Sequence, residues 1–264
     1  MIIRRRFFVI IAAIFVICIL VFGKNSMAAG PYLHEGDAHM FDGELEDAQK
    51  IYEFILKKDP DNYNTLWRLS RFYVLRGMIP ERIKDKKKEW KEAEKYARHA
   101  VEINPDKTEG HLYLAIALGK MALYSSPGEK VRVVREIKKE AEKAIELDPE
   151  RQKAYLALGA WHRNVATASS LEKGIAKIFF GKLPESSIEE SLGLLLKSIE
   201  KGGVNVRNYY ELALTYEAMA DYKAAKSEFD KALAARPVYP EDAGIKEKIK
   251  KVLRKSRYNL KGEK

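Results

Sequence analysis

The hydrophobic positions of this chain recur at helical spacing and fall into paired blocks that end on proline. Ala48, Tyr52 and Ile55 run into Asp59-Pro60, and spacings of three and four residues mark one buried stripe of a helix. Near the other end Tyr209, Leu212, Ala213 and Tyr216 form one block, and Ala225, Phe229 and Ala232 form a second that closes at Pro237. Two helices with small residues where they touch, stopped by a proline, make a repeat of about 34 residues. Three more units lie between: Leu66, Leu69 and Tyr73 with Ala93, Ala97 and Ala100; His111, Leu114, Ala115 and Leu118 with Ala141 and Ala144; Tyr155, Leu158 and Gly159 closing near Ser198. Their ends, Pro105, Pro149 and Gly203, stand 45, 44 and 54 residues after the preceding end, against 34 for the last unit. The extra residues fall between the two helices of each pair. The expected fold is therefore all-α, a tetratricopeptide-like right-handed helical solenoid of about five helix pairs with three inter-helix insertions, over residues 29–244.

Local chemistry agrees with that register. Ser126-Pro127-Gly128-Glu129 and Ser187-Ile188-Glu189-Glu190 read as capped helix starts. In the insertion from Ser169 to Pro184, Leu171, Ile175, Ile178 and Phe179 keep helical spacing, which predicts an extra amphipathic helix packed on the stack. The insertion from Arg76 to Lys91 is polar and basic and is expected to face water. Ile245, Ile249, Val252 and Leu253, with lysines on the other faces, suit a helix capping the solenoid, so residues 245–264 read as a basic cap and tail. Contact of that helix with anionic headgroups is the alternative to capping.

Charge changes the picture mainly at the ends. The net charge is +10, but residues 1–28 carry four basic residues and no acid, and the last twenty carry nine basic residues against two acids. The body is close to neutral, which removes the main support for nucleic-acid binding. Arg4, Arg5 and Arg6 precede sixteen apolar residues, Phe7 to Phe22, and Ser26 and Ala28 stand where cleavage before Ala29 would need small residues. This is the order of a secretory signal, and the run is short for a spanning helix, which needs about 20 residues. A cleaved signal is favoured over a retained membrane anchor, with the repeat domain exported, to a periplasm, or held outside the cytoplasm. Cys18, the single cysteine, lies inside this run, so an exported form without it has no disulfide and no cysteine metal site.

Several stretches carry a family resemblance. Leu66-Trp67-Arg68-Leu69-Ser70-Arg71, Ala157-Leu158-Gly159-Ala160-Trp161-His162 and, above all, the stretch from Ile175 through Phe179-Phe180-Gly181 and Pro184-Glu185-Ser186-Ser187 to Leu192 resemble the regulator of microtubule dynamics family. The Tyr209–Tyr216 helix and Pro240-Glu241-Asp242 resemble its closing segment, so the likeness covers roughly residues 60 to 252. It implies a tetratricopeptide-like fold, often behind an N-terminal membrane segment, with no catalytic residues to carry over. Microtubule binding does not transfer to an exported chain, which would meet no tubulin. His162 stands where the family more often has cysteine.

A stack of helix pairs presents a concave face lined by first-helix residues, suited to a peptide or another protein's helix. In this register the face includes Trp67, Arg71, Leu112, Lys120, Leu156, Arg163, Arg207, Tyr210 and Glu217. For Trp67 and Tyr210 simple packing against neighbouring helices is an equal alternative. Trp161 occupies a normally small position, and core filling is the preferred reading; a pocket among Trp161, Phe179 and Phe180 for an apolar, lipid-like ligand is the other. The five histidines are scattered, and no metalloprotease, serine-nucleophile or phosphate-loop motif is complete. The sequence thus points to a non-enzymatic scaffold with a protein partner and no metal or cofactor. A carrier of a small apolar ligand is the runner-up.

Overall fold

The computed structural model of the protein describes residues 29–239, 241–254 and 258. The apolar run 7–22, Cys18 and the cleavage position lie outside the described residues, as does most of the tail. The described part contains twelve α-helices and no strand: α1 (29–42), α2 (Leu45–Lys58), α3 (Tyr63–Arg76), α4 (Ile83–Ile103), α5 (Thr108–Ala122), α6 (Pro127–Leu147), α7 (Gln152–Ala166), α8 (Ser170–Phe180), α9 (Ile188–Glu200), α10 (Val206–Ala218), α11 (Tyr222–Ala234) and α12 (Asp242–Leu253). Helices α1/α2, α3/α4, α5/α6, α7/α9 and α10/α11 make five pairs, with α8 inserted in the fourth and α12 packed on the last. Among the described residues no helix is long and apolar enough to cross a membrane.

The repeat positions do what their size predicts. Ala48, Ala93, Ala97, Ala100, Ala141, Ala144, Ala225 and Ala232 are wholly buried, and their small side chains let paired helices approach closely. At Gly159 a Cβ would lie 2.8 Å from Leu195 Cγ, so glycine is what lets α7 cross α9 here. The fourth unit ends without proline; Gly202, at φ +92°, takes the left-handed turn that stops α9 instead. Ser126 caps α6 in a reciprocal box with Glu129, and Ser187 accepts from the Glu190 amide at 2.9 Å. α12 begins at Asp242, ahead of the expected cap, and buries Ile245 and Ile249 against α10 and α11.

Two insertions differ from expectation. The segment 76–91 faces water over most of its length, but its second half is helical and carries one buried residue: α4 is 21 residues long against 14 for α2, about two extra turns. Trp90 sits on that extension on the same stripe as Ala93, Ala97 and Ala100, is 2% exposed, and donates to the Val74 carbonyl at 3.2 Å. The 169–184 insertion does form a helix, α8, packed on α6. Its apolar stripe, however, faces outward: Leu171, Ile178 and Phe179 are 63%, 74% and 72% exposed, and only Ala176 is buried. Polar contacts set that orientation. Glu172 pairs with Lys130 at 3.0 Å, and Arg135 donates to the carbonyls of Phe180 and Lys182 at 2.8 and 2.6 Å.

A buried ionisable pair joins two helices of the third unit. The His111 ring bonds Glu140 through Nδ1 and the Pro105 carbonyl through Nε2, at 2.8 Å. Burial pulls the imidazole pKa down, but Glu140 and the carbonyl outweigh it and raise it above the usual value. A group raised on folding contributes stability that is full below pH 6.5 and is lost as pH rises through the folded value. His111→Gln should therefore cost about 1.5–3 kcal/mol at pH 5.5 and clearly less at pH 8.5, measured by urea unfolding. An equal cost at both pH values would mean that the ring is never charged here.

Candidate protein-binding groove

The first helices α3, α5, α7 and α10 form the inner wall of the stack, and α12 closes one end. Together with residues of α4, α6 and α8 they border a groove of about 680 Å³. Leu75, Ile116, Leu156, Tyr210 and Tyr239, all part-exposed, supply apolar surface, with Trp90, Tyr113, Val134 and Trp161 buried behind them. Around them stand eight basic residues, Arg71, Lys86, Lys120, Lys130, Lys153, Arg163, Arg207 and Lys248, against only Glu172, Glu211 and Glu241. The near-neutral body thus concentrates positive charge on its concave side, and a concave, partly apolar wall strengthens that field.

The acids in the groove are largely committed. Arg163 reaches the Glu211 carboxylate at 2.6 Å and its backbone carbonyl at 2.9 Å, and Arg207 approaches the same carboxylate at 3.3 Å. Burial raises the Glu211 pKa, but the two guanidiniums outweigh it and hold the carboxyl below the usual range. Lys120 is different. Among the described residues no carboxylate lies within ion-pair distance of its ammonium, and burial, followed by repulsion from Arg207, pushes its pKa down to about 7. It is a donor in the wall without a fixed acceptor.

Of the residues expected on this face, Arg71, Lys120, Leu156, Arg163, Arg207 and Tyr210 line the groove. Three do not. Leu112 is wholly buried in the core, because every other face of α5 is also covered by helices. Trp67 stacks on Tyr113 at 5.8 Å with the Arg68 guanidinium 4.2 Å over its ring, a packing position. Glu217 accepts a hydrogen bond from Tyr258, beyond the cap helix. The pocket expected among Trp161, Phe179 and Phe180 is not formed. Trp161 is a 4%-exposed core residue whose Nε1 donates to the Val134 carbonyl at 2.7 Å, whereas the two phenylalanines neighbour each other on α8, 6.5 Å apart. Sequence reasoning missed Trp90, Tyr239 and Lys248. Trp90 was detectable from its spacing to Ala93, Ala97 and Ala100; Tyr239, in the α11–α12 connection, and Lys248, on α12, reach the groove only through tertiary packing. At the α1–α2 turn, outside the groove, His39, Glu44 and Asp47 bring ligand atoms within 4.8 Å of one another, a partly exposed cluster explained by the His39–Glu44 bond.

This architecture is that of a tetratricopeptide-like helical-repeat protein. Its fold matches a thermophilic TPR protein of Thermus thermophilus with a TM-score of 0.60 at 15% identity, over 85% of this chain and 98% of that one. The chain belongs to the regulator of microtubule dynamics protein 1-3 family, whose profile matches residues 32–258. It is 27% identical to regulator of microtubule dynamics protein 2 of Rattus norvegicus over 79% of this chain and 52% of that protein. It is 29% identical to regulator of microtubule dynamics protein 1 of Bos taurus over 80% and 68%. The chain thus spans about half the length of the rat relative.

Proposed function

We propose that the chain is an exported, non-enzymatic scaffold that binds an extended acidic segment of another protein in its concave groove. The observation that carries this reading is the set of eight basic side chains against three acids around a groove that Leu156, Tyr210 and Tyr239 also line. Tetratricopeptide-like folds commonly bind protein or peptide partners, and aromatic and arginine side chains are the types that anchor such interfaces. Export to a periplasm, or tethering outside the cytoplasm, rests on Arg4–Arg6, the apolar run 7–22 and the small residues before Ala29. The dynamics named for the relatives is not part of this reading.

A photo-crosslinker at Leu156, which lines the groove, should give one discrete protein adduct in cells. The same group at Lys223, exposed on the outer helix α11, should not. Lys120→Glu should weaken the adduct at least tenfold, and capture should strengthen from pH 8 to pH 6 as Lys120 gains its proton. Equal adducts at both positions would overturn the groove as the site. The second reading, a carrier of an apolar ligand, draws on the groove volume and its apolar lining; a small molecule retained in native mass spectrometry, with no protein adduct, would favour it.

A further inference from the structure

In a stack of antiparallel helix pairs, all the connections within pairs lie along one edge. Here the α3–α4, α5–α6 and α7–α9 connections are physically continuous. Trp90, in the third turn of α4, stacks on Tyr124 at 5.3 Å, Lys130 of α6 pairs with Glu172 of α8 at 3.0 Å, and Arg135 of α6 holds the end of α8. That edge collects large exposed apolar side chains: Ile79 at 59% and Ile83 at 52%, Leu123 at 55%, and the outward stripe of α8. Soluble surfaces seldom gather so many without a use.

Charge identifies the occupant. Lys84 and Lys88 flank Ile83, and Lys173 and Lys177 flank the α8 stripe; all four are exposed, and among the described residues none has an ion-pair partner. None of the four belongs to the groove. We propose that this edge docks on an anionic membrane surface, with the α8 stripe and the Ile79–Ile83 turn entering the headgroup layer while the free lysines meet the lipid charge. A preformed helix with one apolar and one lysine-bearing side is the interfacial type. The apolar side chains come from three separate connections. That layout suits a fluid surface, which conforms to separated side chains, better than a partner helix, which needs a continuous groove. Leu123 and Lys130 border the groove as well, but Ile178 and the four unpaired lysines, on which the inference turns, do not line it, and Lys120 plays no part.

The test uses the full chain carrying Cys18→Ser, with one new cysteine labelled by a polarity-sensitive dye: Ile178→Cys on this edge or Val204→Cys, also exposed, on the opposite edge. With phosphatidylserine-containing vesicles the probe at position 178 should shift to the blue and be quenched by brominated lipid, and the probe at 204 should not. Insertion through residues 7–22 alone would leave both probes in water. Lys173→Glu with Lys177→Glu should weaken the response about 25-fold, a fivefold step for each lysine. An unshifted probe at 178, equal shifts at both positions, or a shift unchanged in neutral phosphatidylcholine vesicles would overturn the proposal. A shift that appears without vesicles as protein concentration rises would also overturn it, and would mark the edge as a protein interface.

Discussion

Replacing Trp161 with alanine should destabilise the protein by about 3–5 kcal/mol, the range for deleting a buried tryptophan. The indole is 4% exposed and packs with Leu158, Val165, Val134 and Ile137, joining α7 to α6. It is also part of the groove wall, so the alanine variant opens the core to the groove as well as removing contacts. The Val134 carbonyl that accepts from Nε1 lies inside α6, where it also has its helical partner, so most of the cost is packing. Trp161→Phe should accordingly recover most of the loss and leave a deficit of about 1 kcal/mol. For a chain of this size the alanine variant should melt roughly 10 °C lower, at about 2–4 °C per kcal/mol. A drop of only a degree or two by circular dichroism would mean that the indole is a replaceable part of the wall.

Removing Glu211 should cost a similar amount for a different reason. Arg163 and Glu211 are both nearly enclosed, and Glu211 also balances Arg207. Glu211→Ala leaves the Arg163 charge buried without its counter-ion, which costs about 3–5 kcal/mol. The double variant Arg163→Met with Glu211→Leu removes both charges and keeps the volume, so it should be less destabilised than Glu211→Ala alone. The folded carboxyl titrates below its unfolded range, so the contribution is present above about pH 4.3 and is lost as pH falls through the folded value. The gap between wild type and Glu211→Ala in urea unfolding should therefore narrow below about pH 4. A double variant worse than the single would show that the pair adds stability rather than merely balancing buried charge.

The repeat was legible because each unit had to solve the same packing problem. Alanines at helix crossings and prolines or Gly202-Gly203 at unit ends are local necessities, readable one unit at a time. Of the residues that register puts on the first-helix face, Arg71, Lys120 and Arg207 line the groove. Leu112 and Trp67 pack away from it, because the helix face presented at a given position depends on which neighbours cover it. Trp67 found Tyr113 from the next unit, a contact that sequence spacing does not encode.

The sequence by itself determined the all-helical, paired architecture, the caps and the family, because these rest on periodicity and on chemistry within a few residues. Tertiary structure alone decided three things: that α8 turns its apolar stripe outward, that α12 brings Lys248 to the groove, and that the basic side chains of four units converge there. Helical periodicity fixes which residues share a stripe but not which side of the helix a neighbour will occupy. For α8 that choice was made by Lys130 and Arg135, some forty residues away in the chain.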